Sequence, residues 1–152
     1  MKASHKTKKM ILLRYNRILI LLILFLPTQS VFAQRSSTSY LKAAIEATNK
    51  KKYTEAIRFC DTAVKINSTF VEAYFHRGFN KLKLKDYTGA RVDFTICLEL
   101  NRNSLSAYLY RAYTNQKLGN TWEAGQDYLS ARKIDALETL AFFTLNLFRS
   151  GV

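Results

Sequence analysis

Histidine is almost missing from this chain. Of 152 residues only His5 and His76 are histidines, and they stand far apart. Neither a zinc site nor a catalytic triad can be built around spaced imidazoles here. Cysteine is as scarce, with Cys60 and Cys97 alone. An exported chain permits a disulfide, yet two thiols on helices suggest packing before a bridge. There is no glycine-rich phosphate loop and no pair of carboxylates at acid–base spacing. No catalytic residue, metal or cofactor is therefore expected. One proline in 152 residues suits one small domain rather than several.

Basic residues are abundant, 24 Lys and Arg against 11 Asp and Glu, but they are unevenly placed. Lys2, Lys6, Lys8, Lys9, Arg14 and Arg17 precede position 34 in a segment without acids, which leaves 18 against 11, or +7, for the rest. That segment has the layout of an export signal. Its basic stretch ends at Arg17, the apolar run ILILLILFL follows from Ile18 to Leu26, then Pro27, with Val31 and Ala33 ahead of Gln34 as a peptidase would require. Residues 1–33 are expected to be removed as a signal peptide, leaving 34–36 as a short extension. The competing reading is an uncleaved anchor, against which the nine-residue run is short of the ~20 apolar residues that span a bilayer. The expected location is the periplasm or cell envelope, with secretion as the alternative. Membrane association is expected only if the segment stays uncleaved, and an exported chain is not expected to meet nucleic acid.

The remainder repeats itself. KKYTEA begins at Lys51 and KDYTGA at Lys85, 34 residues later. That interval divides the chain without gaps into blocks 37–70, 71–104 and 105–138. The fourth place holds Tyr40, Tyr74 and Tyr108; the eighth, Ala44, Gly78 and Ala112; the twentieth, Ala56, Ala90 and Ala124; the thirtieth, Ile66, Leu100 and Ile134. Small residues recur where helices must approach closely, and large ones where space must be filled. Within a block the apolar period is helical and breaks once, as at KLKD, so each block is expected to be a helical hairpin. Thr69 with Glu72, Asn120 with Glu123 and Asp135 with Glu138 have the spacing of capping boxes at helix starts. The last of these opens a seventh helix, roughly Leu137 to Arg149.

These blocks resemble tetratricopeptide repeats, helix-turn-helix units of 34 residues. The characteristic places are met at Tyr74, Gly78, Tyr87, Ala90, Phe94 and Leu100, and the resemblance covers 37–138. Departures are Ser68, Arg102 and Ala136 where the family has proline, Thr121 where it has an aromatic, and Gly125 inside a helix at a cost of about 1 kcal/mol relative to Ala. The resemblance implies an all-α, right-handed superhelical solenoid of three repeats, with a C-terminal capping helix and tail over 139–152. It also implies a protein or peptide ligand in the concave groove lined by the first helices of successive hairpins.

By the family's register, Leu41, Ile45, Phe75, Phe79, Leu109 and Tyr113 form an apolar ladder in that groove. Leu82 and the polar Asn49, Lys83, Gln116 and Lys117 stand beside it. Family members that clamp a peptide carboxylate use Lys and Asn at the places held here by Leu41 and Ile45, which disfavours that mode. Lys50, Lys51, Lys52, Lys83, Lys85 and Lys117 fall at hairpin turns and would align along one edge, for solubility or for an anionic surface. The terminal helix is apolar on most sides through Leu140, Phe142, Phe143, Leu145, Leu147 and Phe148. Self-association through this helix is a further expectation. The alternative function is a structural envelope component held to membrane or to its own copies by the basic edge and this helix.

Overall fold

The computed structural model describes residues 36–150, with side chains through position 146. The signal-like segment 1–33 lies outside the described residues. Among the described residues seven helices follow one another: α1 over 36–49, α2 Tyr53–Ile66, α3 Val71–Lys83, α4 Tyr87–Leu100, α5 Leu105–Lys117, α6 Thr121–Ile134 and α7 Ala136–Ser150. Three antiparallel hairpins thus occupy the three blocks, and α7 stands where a fourth first helix would. Among the described residues, no helix is long and apolar enough to cross a membrane.

The recurring small residues are where the hairpins close. Ala44, Ala56, Gly78, Ala90, Ala112 and Ala124 are all buried. At Gly78 the approach is closest, since a methyl there would stand 3.0 Å from Asp93 Cβ and 3.0 Å from Phe94 Cε1. The register places Cys60 and Tyr128 at the equivalents of Phe94, and alanine suffices in those two hairpins.

Each hairpin turn needs one residue in left-handed backbone conformation, and the repeat puts it at the same place three times. Lys51 has φ 59°, Lys85 φ 63° and Gly119 φ 81°. Only the third turn uses the residue that adopts this conformation without strain.

The helix starts depart from the expected capping pattern. Thr69 does not cap α3; its backbone N–H and its hydroxyl both donate to Asn67 Oδ1, at 3.1 and 2.9 Å, and Phe70 is the N-cap without a side-chain bond. Asn120 is the N-cap of α6 but its side chain accepts nothing from the helix. Asp135 does cap, accepting the N–H of Glu138 at 2.9 Å. Two caps not read from the sequence are Asp86, which accepts from Gly89 N at 2.9 Å, and Ser104, which accepts from Ala107 N at 3.3 Å. The side chain that reaches forward sits one place earlier in the register than Ser68 or Arg102, where family proline would be. Asn67 and Asn101 hold their loops by turning onto the backbone two residues on.

Polar pins join the hairpins. Arg77 on α3 bonds Asp93 on α4 through Nε and Nη2, the latter at 2.6 Å, and reaches back to Asp61 on α2 at 2.8 Å. Lys81 adds a contact of 2.8 Å to the second oxygen of Asp93. One repeat later Arg111 bonds Asp127 at 2.6 Å and 3.0 Å and reaches back to Thr95 at 3.3 Å. Hairpin one has no such pin. Phe59 stands at the place of Asp93 and packs against the cluster of Ala44, Ala47, Ala56 and Cys60.

Candidate partner-binding groove

The first helices α3, α5 and α7 come together around a cavity of about 500 Å³. Phe79, Leu82 and Lys83 enter it from α3, Tyr110 and Tyr113 from α5, and Phe142, Leu145 and Asn146 from α7, with Lys85 and Tyr87 at the turn into α4. No acidic residue lines it. Its positive charge is carried by Lys83 and Lys85, and ammonium groups in its lining and outside it, at the end of α5, lie against its aromatic faces. Lys83 Nζ stands 4.8 Å from the centre of the Phe79 ring, and Lys117 Nζ stands 5.2 Å from that of Tyr113. Both pairs are four residues apart on a helix, so one turn brings the ammonium back over the ring.

The pocket is built on an aromatic cluster centred on Tyr110. Its ring lies 5.5 Å from Phe75, 5.6 Å from Phe79, 5.8 Å from Phe94 and 5.2 Å from Phe142. These separations and mostly edge-on angles suit the quadrupoles of the rings. Tyr110 was not among the residues the register pointed to. It follows the ladder place, and only the arrival of Phe142 from α7 makes it the centre of the site.

The predicted ladder is therefore only partly presented to a ligand. Phe79, Leu82, Lys83 and Tyr113 are gathered in the pocket. Leu109 is 2% exposed and cannot meet a partner in this conformation, which corrects its placement. The next residue, Tyr110, is half-buried and lines the pocket instead. Phe75 is half-buried and packs against the core of Cys97, Leu98 and Ala107, so its part is mainly structural. Leu41 and Ile45 are half-buried on α1 and Asn49 is exposed, all away from the pocket. Gln116 and Lys117 are exposed at the end of α5.

His76, next to the ladder, is half-buried with its ring edge-on to Phe75 at 5.8 Å. Burial lowers its pKa below the usual histidine value, and the nearby Glu72 carboxylate opposes that shift only in part. Cys60 and Cys97 are both free and buried. Burial pushes each thiol up to about 12. Among the described residues no group of three or more His, Cys, Asp or Glu side chains could hold a metal ion.

No protein-family profile matches the chain. A stretch of 51 residues, 34% of the chain, is 41% identical to RNA polymerase II-associated protein 3 of Xenopus tropicalis, and it spans 8% of that protein's length. Several solved structures are similar over most of both chains. The Arabidopsis OM64 TPR domain aligns with a TM-score of 0.71 at 22% identity, over 79% of this chain and 99% of that one. The second TPR of Spaghetti (RPAP3), bound to HSP90 peptide SRMEEVD, aligns at 0.68 and 20% identity, over 72% and 99%. The TPR2B domain of yeast Sti1, from its pHsp70 complex, aligns at 0.68 and 18% identity, over 72% and 94%. Together with the three gapless 34-residue hairpins, these likenesses establish the tetratricopeptide-repeat fold for this chain.

Proposed function

We propose that the protein is an exported scaffold that binds a peptide segment of a partner through the pocket between α3, α5 and α7. The observation that carries this reading is the pocket itself: an open aromatic cavity with lysines at its rim and no carboxylate inside. An apolar side chain of the ligand fits between Phe79, Tyr110, Tyr113 and Phe142, and desolvation of that side chain supplies the affinity. Lys83 and Lys85 then favour an acidic neighbour in the ligand. Similar structures carry HSP90 and Hsp70 peptides in their complexes, which supports a peptide as the class of ligand. Leu41 and Ile45 stand at the family's clamp places, so the terminal-carboxylate mode is not part of the proposal. Export rests on the layout of residues 1–33, with the periplasm or envelope as destination. N-terminal sequencing of the protein recovered from an expressing cell should read from Gln34; a chain that begins at Met1 removes this part.

Selection of a displayed random-peptide library on the purified protein tests the binding. Enriched peptides should carry a large apolar residue and should lose at least about tenfold in affinity for Tyr113→Ala, a loss typical of an anchor in a desolvated pocket. Enriched peptides that bind Phe79→Ala and Tyr113→Ala as well as the parent would rule this site out.

A second reading is self-association through the C-terminal helix, as a structural component of the envelope. It is favoured by the exposure of Leu137 and Leu140, at 81% and 60%.

A further inference from the structure

The large apolar side chains that reach water are concentrated on the last two helices. Trp122, 74% exposed, and Leu129 come from α6, and Leu137, Leu140 and Phe143 from α7. All but Leu137 line one open cleft of about 520 Å³ between the two helices, and Leu137 lies beside it at the start of α7. The Phe143 ring already stands edge-on to Tyr128 at 5.5 Å, so the floor of the cleft is built.

The repeat supplies an internal control for this surface. Where hairpins one and two carry the exposed Thr54 and Thr88, hairpin three carries Trp122. Thr69 and Asn103, both exposed, are succeeded by Leu137, and the exposed Glu72 and Ser106 by Leu140. The pin places Asp61 and Thr95 are succeeded by Leu129. At four places of one register, polar residues stand twice and a large apolar residue stands third. Water suffices at the two earlier copies of each place; the last copy, on α6 and α7, presents a surface suited to contact with another apolar surface.

We infer that a second copy of the chain covers this cleft, with its α7 antiparallel to α7 of the first about a two-fold axis passing near Leu140. This rests on the self-association reading and gives it a geometry. Leu137, Leu140 and Phe143 are spaced by three residues on either side of Leu140, so the stripe reads alike in both directions. An antiparallel copy pairs Leu137 with the second copy's Phe143, and one axis covers both clefts at once, as an isologous contact requires. The exposed fractions of the five side chains amount to about 600 Å² per copy, close to the ~800 Å² per partner of a standard stable interface once flanking atoms are included. Trp122 is its anchor, a large side chain at the edge of a preformed apolar cleft.

Sedimentation equilibrium of the purified protein tests the state, and disulfide trapping tests the axis. The parent should be a dimer. Leu140→Ser and Trp122→Thr place there the residues found in earlier hairpins, so the fold tolerates them, and each should weaken the dimer by roughly tenfold or more. Leu140→Cys should form an intermolecular disulfide on mild oxidation, while Leu145→Cys, on the groove side of α7, should not. A parent that stays monomeric at its highest soluble concentration overturns both the two-fold and the self-association reading. A dimer that ignores both substitutions and gives no Leu140→Cys cross-link leaves self-association standing and overturns the two-fold.

Discussion

Arg77 closes on a carboxylate with no access to solvent. Asp93 is 0% exposed and receives both Nε and Nη2 of Arg77, while the same guanidinium extends to Asp61 in the hairpin before. Burial alone would lower the pKa of Arg77, but its bonds to Asp93, then Asp61, raise it above the ordinary arginine value. One arginine thus ties a hairpin together and ties it to its predecessor. Arg111 repeats the arrangement with Asp127 and Thr95.

The two partners of Arg77 should differ sharply in worth. Asp93→Ala leaves Arg77 and Lys81 half-buried without their shared anion, and should cost about 3 to 5 kcal/mol. Asp61 is half exposed, so Asp61→Ala should cost about 1 kcal/mol or less. Urea denaturation of the two variants checks this, and equal losses would contradict it.

Charge is balanced separately in each pin, and that makes a coupled prediction. The cluster at Asp93 has two cations, Arg77 and Lys81, and two anions, Asp61 and Asp93. At Asp127 the register replaces Lys81 by Asn115 and Asp61 by Thr95, removing one charge of each sign. Asn115 Nδ2 donates to Asp127 at 3.2 Å, but its Oδ1 is buried with no hydrogen-bond partner. Asn115→Lys alone should destabilise by placing a second cation beside Arg111, and Thr95→Asp should recover the loss. A double-mutant cycle should give a favourable coupling of about 0.5 to 3 kcal/mol. Additive effects would show that the pins are not charge-balanced units.

Two glycines should respond in opposite directions to alanine. Gly78→Ala pushes a methyl against the buried Phe94, an overpacking cost of about 1 to 3 kcal/mol that outweighs the ~1 kcal/mol gain in helix propensity. Gly125 has open space around the same methyl, so Gly125→Ala should keep the gain and stabilise by about 1 kcal/mol. Thermal unfolding of both variants decides the matter.

The turns offer a third pair. Lys85→Gly relieves a left-handed lysine and should stabilise by about 1 kcal/mol, whereas Gly119→Ala creates the same strain and should destabilise by a similar amount. If Lys85→Gly destabilises instead, the ammonium has a role in the fold that its backbone strain conceals.

Why some of this was readable in the sequence and some was not follows from what repeats. The 34-residue period places small residues at each close approach, so hairpin boundaries and the seventh helix were legible from Ala44, Gly78 and Ala112 onward. The pins were written in the same register, with Arg77 and Arg111, and Asp93 and Asp127, each 34 apart. An apolar and small pattern does not reveal them, because their partners are charged and stand at other places of the repeat. Capping failed at Thr69 because a hydroxyl near a helix start has a choice of partners, and Asn67 was nearer. The groove was legible only in outline. A register treats every first helix alike, yet α7 beside α5 brings Phe142 onto Tyr110, while Leu109 is buried.

Stability should fall on both sides of neutral pH, for two separate reasons. Below it, His76 is held neutral by burial, with a native pKa under the unfolded value near 6.5. As pH falls through that value the unfolded chain takes up a proton first, so stability drops until native His76 titrates as well. Above neutrality, Cys60 and Cys97 ionise in the unfolded chain from about pH 8.5, while their native thiols are pushed up to about 12. The native state then holds the extra protons, and stability drops as pH rises across that interval; Tyr128, raised by burial, adds to the same limb. Denaturant midpoints measured across pH should show both limbs, with His76→Gln flattening the acid one and Cys97→Ala reducing the alkaline one. The same burial predicts that native thiols ignore an aromatic disulfide reagent at pH 8 and that both react once the chain is unfolded. Rapid labelling of the native protein, or an acid limb untouched by His76→Gln, would mean that these groups are more open to water than their packing indicates.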